Sequence, residues 1–411
     1  MSYNYIERHD IFASLYGSNE TNMVDGKGAL LIDENGKEYI DFNETSIFLG
    51  QRNENFDKKI KKAFDEITSS KGNKNHYKNR LFEMMIETTN HDFDRIFLAS
   101  SGSEAMEWSL RLAKKMTGRC EALSFWNSIH GRTYLSSSSS GYSTRKTGHG
   151  PIAPGVVYGV YPNCSHCEFN CQRESCNFYC LDFLDRKIEN ESTQDISAVI
   201  VEPYQGAGII CPPKGYLKAL RQWTKDRGIL LIFDEIQAGL GRTGELYCYQ
   251  QEGIVPDMLL LGKGLGNGLH IAALLIKGDV SKEEVLALYG GSGDSSISCA
   301  AACAVYEELL ETDLLENVKK VSDYLYRALR DNAKKYSFIY EVRGMGLALA
   351  IEFCGENKTE QIAKCINALY EMGFIVGKNS NSIVLRPPLS LTLEQAKSFD
   401  SSLSEICSQI L

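Results

Sequence analysis

The chain has 411 residues, of which 43% are hydrophobic and 24% are charged, and its formal net charge is -9. This composition is typical of a globular protein and excludes fibrous and disordered chains. The negative charge argues against a broad electropositive surface, so neither nucleic acid nor an anionic membrane is expected as a partner. The opening residues MSYNYIERHD lack the order of a secretory signal, and no apolar run is long enough to span a bilayer, which predicts a cytoplasmic protein.

The first predicted element is a β-hairpin over Leu30–Phe42, LLIDENGKEYIDF. Its two short apolar runs flank Asn35-Gly36, and this dipeptide favours the positive φ angles of a tight hairpin turn. We therefore expect an antiparallel pair of strands near the amino terminus.

A helix is predicted next, beginning after Ser101 and ending at Gly118. Ser101 and Glu104 have the spacing of a capping box, and apolar residues follow at intervals of three and four. The first turn of such a helix presents free backbone N–H groups and the positive end of the helix dipole, which favour a phosphate group. Ser101, Gly102 and Ser103 are therefore a candidate phosphate site, and the alternative is a capped helix without a ligand.

Two loops are predicted in the middle of the chain. The serine run Ser136–Ser140, followed by glycines, is typical of a flexible loop. The second loop carries five cysteines with the spacing C-x2-C-x3-C-x4-C-x3-C, namely Cys164, Cys167, Cys171, Cys176 and Cys180. In a reducing compartment close pairs of thiols suit zinc or an iron–sulfur cluster better than a disulfide framework. Free thiols acting as small apolar side chains are the alternative, so the metal content stays open.

Short apolar runs predict buried parallel strands at Ile196–Val201, Ile229–Phe233 and Met258–Leu261. Asp234 follows the second run and Lys263 follows the third. Because open α/β sheets bind ligands at the carboxyl ends of their strands, a carboxylate and an amine are presented together there. Such a pair suits pyridoxal phosphate, which needs a lysine to hold it as a Schiff base and a carboxylate to keep its ring nitrogen protonated. The alternative is a capping Asp234 and a solvated Lys263.

Ordered motifs from about Leu30 to Leu389 resemble the class III pyridoxal-phosphate aminotransferases, the group of ornithine, acetylornithine and 4-aminobutyrate aminotransferases. The motifs are SGSEA at 101–105, IHGRT at 129–133, EPYQGAG at 202–208, FDEIQAGLGRTGE at 233–245, LGKGLGNG at 261–268 and VRGMGL at 342–347. The resemblance implies that Lys263 forms the internal aldimine, Asp234 pairs with the pyridine nitrogen and Gln237 lies near the ring hydroxyl. The complete set of candidate cofactor-binding residues is Ser101, Gly102, Ser103, Ile129, His130, Glu202, Asp234, Gln237, Lys263 and Ser292.

The chain departs from the family pattern at several positions. Ile129 occupies the place of an aromatic residue that stacks on the cofactor ring, a loss of about 1 kcal/mol. Ser292 substitutes for a threonine that reaches the neighbouring subunit's phosphate. Ala207 and Val384 replace a glutamate and an arginine that handle substrate carboxylates. Arg386, two residues after Val384, either takes over the anion contact or pairs with an acid.

The resemblance also implies the fold. We expect a fold-type-I α/β transferase, in which residues 46–310 form a large domain with a mostly parallel sheet flanked by helices. Residues 1–45 and 311–411, from both chain ends, would form a smaller α+β domain. Two such chains would form a homodimer with active sites at the subunit interface.

The predicted function is a pyridoxal-phosphate-dependent aminotransferase with Lys263 as the catalytic residue. It would move an amino group between an amine or amino acid and a keto acid or aldehyde by a ping-pong mechanism. A racemase, epimerase or phospholyase of the same family is the alternative. The glycines of residues 262–268 could also suggest dinucleotide binding, but the acidic residue expected at the later spacing is missing.

Overall fold

A computed structural model describes residues 21–66, 75–148, 150–286 and 294–410 of the chain. Its strands are β1 (Met23–Lys27), β2 (Leu30–Asp33), β3 (Glu38–Asp41), β4 (Arg95–Ala99), β5 (Glu121–Phe125), β6 (Val156–Gly159), β7 (Ile196–Val201), β8 (Leu230–Asp234), β9 (Met258–Leu261), β10 (Ala272–Ile276), β11 (Ile339–Met345), β12 (Ala348–Phe353), β13 (Phe374–Ile375), β14 (Gly377–Asn379) and β15 (Ser382–Leu385). Its α-helices are α1 (Glu54–Phe64), α2 (His76–Thr88), α3 (Gly102–Thr117), α4 (Tyr134–Ser139), α5 (Tyr179–Glu191), α6 (Tyr216–Asp226), α7 (Cys248–Glu252), α8 (Lys282–Leu286), α9 (Ser296–Glu311), α10 (Leu314–Lys335), α11 (Lys358–Glu371) and α12 (Leu393–Ile410). A search of these helices finds none with the length and apolar character needed to cross a membrane.

The largest sheet has seven strands in the order β4-β10-β9-β8-β7-β5-β6. Strands β9, β8, β7, β5 and β6 run parallel, and β10 is antiparallel to both β9 and β4. Both faces are covered: Ala198 and Ile200 of β7 pack in one apolar cluster with α3, whereas Val199 and Val201 pack in a second cluster. Because the strands are buried on both faces, their sequences are continuous apolar runs. The predicted mostly parallel sheet is confirmed.

The strands that carry the candidate site end side by side. β8 and β9 pair in parallel, with Asp234 opposite Leu260. Lys263 follows β9 after Gly262, so the predicted carboxylate and amine emerge at the same edge of the sheet.

Two four-stranded sheets contain the chain ends, in the orders β1-β2-β3-β13 and β11-β12-β15-β14. The predicted hairpin is confirmed, since β2 and β3 are antiparallel and Gly36 has a φ of 82° in the turn. β13 comes from the carboxyl-terminal part of the chain and pairs in parallel with β3. The two ends of the chain therefore share a sheet.

The predicted helix after Ser101 is confirmed as α3. Ser101 accepts a hydrogen bond from the N–H of Glu104 at 3.2 Å, and Gly118 ends the helix with a φ of 68°. The return bond of the capping box is shifted by one residue, because the Glu104 carboxylate accepts from the N–H of Ser100 at 2.7 Å. The apolar residues at intervals of three and four over 299–310 and 314–330 lie in the helices α9 and α10, each somewhat longer than the pattern.

The prediction of a flexible loop at Ser136–Ser140 is wrong. Most of these serines form the short helix α4 and are buried. Ser138, Ser139 and Ser140 each donate a hydroxyl hydrogen bond to the carbonyl four residues earlier, at 2.7 to 3.0 Å. These bonds satisfy hydroxyl groups that would otherwise be buried without partners, which is how a serine run becomes tolerable in a helix.

Candidate active site

A cavity of about 1480 Å³ lies at the carboxyl edge of the seven-stranded sheet. The described candidate residues on its wall are Ser101, Gly102, Ser103, Ile129, His130, Glu202, Asp234, Gln237 and Lys263. Ser292 lies outside the described residues. Positions that are distant in the chain are therefore brought to one cavity.

Asp234 and His130 form a buried pair on the cavity wall. Asp234 is 5% exposed and His130 is 2% exposed, and His130 Nδ1 lies 2.8 Å from Asp234 Oδ2. Because an ionised carboxylate can only accept, the histidine nitrogen is the donor. The other Asp234 oxygen accepts from the N–H of Ile236 at 3.2 Å. The carboxylate is thus held in one orientation.

Lys263 has an unusual backbone conformation. Its φ is 44°, in the left-handed region, which costs a non-glycine residue about 1–2 kcal/mol. The turn that begins there is tightly packed, because a Cβ at Gly264 would lie 2.2 Å from the Phe48 ring. Gln237, with its amide oriented to satisfy both neighbours, accepts from Lys263 Nζ at 2.5 Å and donates to the Gly206 carbonyl at 3.1 Å.

The surroundings of Lys263 lower the pKa of its amine from 10.5 to about 8. Burial is the main cause, and the positive charge of Arg386 adds to it. The negative charges of Glu202 and Asp234 oppose this change. At pH 7 about a tenth of the amine is therefore uncharged and able to act as a nucleophile or base, far more than for an ordinary lysine.

Glu202 joins two loops of the cavity wall. One carboxylate oxygen accepts from the N–H of Ile129 at 2.9 Å and the other from the N–H of Gly206 at 2.8 Å. The pKa of Glu202 is raised to about 7, mainly by burial. The nearby His130 and the two backbone N–H groups oppose this rise, and the negative charge of Asp234 adds to it. Both oxygens are already used by the protein, so Glu202 positions these loops.

The start of α3 forms a close-fitting cradle. Ser103 Oγ accepts from the N–H of Arg132 at 3.0 Å, which leaves its own proton available to a ligand. Gly102 packs against Ile236, since a Cβ there would lie 2.7 Å from Ile236 Cδ1 and would displace the end of that side chain. Gly131 is required by packing, since a Cβ would lie 2.2 Å from Ser136 Oγ. Small residues therefore keep the helix end open.

Several further residues on the cavity wall belong to none of the sequence motifs. Asn43, Tyr142, Lys378 and Asn379 line the cavity, and Tyr142 Oη accepts from Asn379 Nδ2 at 3.4 Å. They come from three distant segments. No local motif surrounds them, so only the folded chain identifies them.

Arg386 lines the cavity, whereas Val384 is fully buried in an apolar cluster. The guanidinium of Arg386 donates to the Gly206 carbonyl at 3.2 Å and to Asn43 Oδ1 at 3.1 Å. Its Nε is buried and has no hydrogen-bond partner among the described residues. Both recorded partners are neutral, so the acid pairing considered for Arg386 is not found in the described part of the chain.

The cavity fits pyridoxal phosphate. The start of α3, lined by the small residues Ser101, Gly102 and Ser103, suits a phosphate, and the buried Asp234 suits a ring nitrogen. His130 Nε2 is buried without a hydrogen-bond partner among the described residues, so a polar group remains to be satisfied on this wall. The amine of Lys263, on the same cavity wall, suits an aldehyde.

Comparison with known proteins agrees with this fit. The class-III aminotransferase family model matches residues 13–407. The chain is 34% identical to an acetylornithine aminotransferase of Clostridium acetobutylicum, over 92% of this chain and 94% of that protein. It is 31% identical to a leucine/methionine racemase of Thermococcus litoralis, over 90% and 87%.

Among solved structures, the pyridoxal-phosphate-bound amine transaminase from an uncultivated Pseudomonas species superposes with a TM-score of 0.87 at 26% identity, over 98% of both chains. The chain therefore belongs to the class III aminotransferase family and is a pyridoxal-phosphate-dependent aminotransferase.

Proposed function

We propose that this aminotransferase exchanges amino groups between amino acids and keto acids whose carboxylate is held by Arg386. The observation that carries the proposal is the guanidinium of Arg386, which faces the cavity with neutral partners and a buried, unpartnered Nε. A buried charged donor without a counter-charge strongly favours an anionic ligand.

Two neighbouring positions support a carboxylate from the substrate. Val384, at the family's arginine position, is buried in an apolar cluster and cannot bind an anion. Ala207, at the family's glutamate position, lines the same cavity and offers no carboxylate to Arg386. The positive charge of Arg386 is therefore left for the substrate to neutralise.

We assign each candidate residue a role in binding the cofactor. When bound, pyridoxal phosphate supplies an aldehyde that takes up the amino group and a ring that accepts electrons. The residues proposed to hold it are Ser101, Gly102 and Ser103 at the phosphate, Ser292 as a further phosphate contact, Ile129 on the ring face, Gln237 near the ring hydroxyl, Asp234 at the ring nitrogen and Lys263 at the aldehyde. His130 is proposed to orient Asp234, and Glu202 to fix the Ile129 and Gly206 loops.

Lys263 is proposed to move the proton. Its Nζ, partly uncharged because of burial, accepts a proton from the substrate carbon and returns it to the acceptor atom. Gln237 keeps the amine in place between these transfers. The first product then leaves before the second substrate binds, which gives ping-pong kinetics.

We further propose a cytoplasmic homodimer in which residues 46–310 form the large domain and residues 1–45 and 311–411 form the small one. The pairing of β13 with β3 supports a small domain built from both ends. None of the thirteen cysteines forms a disulfide, in keeping with a reducing compartment. Trp126 and Tyr134, close to the cavity wall in sequence, are 41% and 61% exposed and offer apolar surface to a second subunit.

The substrate proposal is tested with Arg386→Gln. We expect KM for amino acid donors to rise about 10- to 100-fold, because a charge-assisted hydrogen bond of about 1.5–3 kcal/mol is lost. Amine donors without a carboxylate should react at nearly the same rate as before. Steady-state kinetics with matched pairs of donors, together with detection of pyridoxamine phosphate, measure both effects.

Lys378→Gln is the matched control, because it removes the same charge from the same wall of the cavity. Its KM values should change little. An equal loss for donors with and without a carboxylate, or the same KM change in the control, would contradict the assigned task of Arg386.

A further inference from the structure

The loop Gln205–Ile210, between β7 and α6, has backbone groups that contact several residues of the large cavity. The carbonyl of Gly206 accepts from the amide of Gln237 at 3.1 Å and from the guanidinium of Arg386 at 3.2 Å. The N–H of Gly206 donates to Glu202 at 2.8 Å. A displacement of this loop would therefore move side chains that line the cavity.

The backbone of the Gln205–Ile210 loop is strained. Ile209 has a φ of 50°, and a β-branched residue rarely adopts this left-handed region. Such strain persists only where the surroundings hold the residue in place. The Ile209 side chain is fully buried in the same apolar cluster as Val384. Packing thus holds the side chain, whereas the peptide carbonyls on either side of Ile209 need a polar partner.

Arg343 of β11 is that partner. Its Nε donates to the carbonyls of Gly208 at 3.2 Å and Ile209 at 3.1 Å, and its Nη2 donates to Gly208 as well, at 3.0 Å. Nη2 also donates to Ser382 Oγ at 3.0 Å. Ser382 begins β15, the strand that ends immediately before Arg386. One guanidinium therefore holds both the loop that Arg386 contacts and the strand that leads to Arg386.

All three nitrogens of Arg343 are engaged. Nη1 donates to Glu341 Oε1 at 2.8 Å and to Glu352 Oε2. The two carboxylates fix the plane of the guanidinium and leave its other edge to the loop carbonyls. Arginine can do this because its N–H groups form a rigid planar fork. A lysine has a single nitrogen, which cannot serve the two glutamates and the loop together.

We propose that Arg343 is a positioning residue, which sets the place of Arg386 by holding the Gln205–Ile210 loop and the start of β15. Arg343 is not among the described residues that line the cavity, so it acts through its neighbours. The consequence for substrates rests on the function proposed for Arg386. The effect on the loop itself does not depend on that function.

The first test measures the loop without any substrate. Hydrogen exchange followed by mass spectrometry compares the full-length protein with Arg343→Lys, which keeps the positive charge beside the glutamates but loses the fork. The N–H groups of Gly206 and Ile210 are hydrogen-bonded in the loop and should exchange about tenfold faster in the variant. Strands β7 and β8 should exchange as before. Equal exchange of the loop in both proteins would overturn the proposal.

The second test follows the reaction. The measured quantity is the kcat/KM of an amino acid donor divided by that of an amine donor without a carboxylate. Losses common to all donors, such as those from a shifted Gln237, cancel in this ratio. Arg343→Lys should lower the ratio about tenfold, and the double variant with Arg386→Gln should have the same ratio as Arg386→Gln alone. Independent, multiplying losses in the double variant would show that Arg343 does not act through Arg386.

Arg221→Lys is the matched control. The Arg221 side chain is 10% exposed, against 14% for Arg343, and it donates to both oxygens of Asp257 at 2.6 and 2.8 Å. This variant should lose stability but keep the loop exchange and the donor ratio. Changes as large as those in Arg343→Lys would mean that general destabilisation causes both effects, and would overturn the proposal.

The two proposals fail in different ways. An unchanged donor ratio in Arg386→Gln would contradict the proposed function, whereas faster loop exchange in Arg343→Lys would still support the task of Arg343. A ratio that falls in Arg386→Gln but not in Arg343→Lys would overturn only the positioning of Arg386 by Arg343.

Discussion

The two walls of the large cavity differ in origin and in how far they follow the family pattern. The sheet wall consists of Ser101–Ser103, Ile129, His130, Asp234 and Lys263, and apart from Ile129 it matches the family motifs. The chain-end wall consists of Asn43, Lys378, Asn379 and Arg386, and here the family's arginine position holds a buried valine.

On the proposed assignment, this difference separates the residues of the reaction from those that select the substrate. On the sheet wall, short strands and helix ends fix the groups proposed to react, through buried contacts such as the 2.8 Å approach of His130 to Asp234. On the chain-end wall, Arg386 is held by two neutral partners from other segments. Substitutions in the sheet wall should therefore affect all substrates alike, whereas those in the chain-end wall should change the ratio between substrates.

The largest effect is expected from Lys263→Ala. Without this amine the proton has no carrier at the cavity, so kcat should fall by about a thousandfold or more with every donor. The absorbance band that arises when the cofactor is bonded to Lys263 should also disappear. Steady-state rates and absorbance spectra check both, and an unchanged spectrum would contradict the assignment of Lys263.

Asp234→Asn should have the next largest effect. The charge expected at the cofactor ring nitrogen is lost, and His130 loses its charged partner. We expect kcat to fall about a hundredfold, by the same factor for donors with and without a carboxylate. A decrease confined to one class of donor would mean that Asp234 contacts the substrate. The two walls would then not differ in role as proposed.

The next effect is a dependence on pH: the rate of cofactor uptake should change about tenfold per pH unit below pH 8. Because the pKa of Lys263 is lowered to about 8, its amine is mostly protonated below that pH and cannot attack an aldehyde. The rate at which cofactor-free protein takes up pyridoxal phosphate should rise with pH up to about 8 and then level off. Stopped-flow absorbance measures this rate.

Two variants should move that profile in opposite directions. Arg386→Gln removes a positive neighbour and should raise the pKa of Lys263, whereas Asp234→Asn removes a negative neighbour and should lower it. An unchanged profile in both variants would show that burial alone controls this amine, and shifts in the same direction would contradict the assigned charge effects.

The smallest effect is expected from Ser101→Ala. This change removes the side chain that caps α3 and should lower the free energy of unfolding by about 1 kcal/mol. Urea unfolding of the cofactor-free protein measures it, with Ser101→Thr as the control that keeps the cap. Equal stability of the two variants would mean that the hydroxyl contributes nothing to the helix end.

Local sequence by itself determined the parts of the site that depend on neighbouring residues. The apolar runs of β7, β8 and β9, the cap and carboxyl-terminal glycine of α3, and the Asn35-Gly36 turn are all set within a few positions. Strands buried on both faces and helices with side-chain caps leave a pattern that short segments display. Asp234 and Lys263 could therefore be placed at one sheet edge in advance.

Only the tertiary structure decided the contacts between distant segments. The choice between Arg386 and Val384 as the residue on the cavity wall depends on how β15 ends beside Asn43, which lies 343 positions away in the chain. The helix at Tyr134–Ser139, in place of the predicted loop, likewise depends on burial of its serines against neighbouring elements. Such outcomes follow from packing and from the satisfaction of buried polar groups, which no short stretch of sequence records.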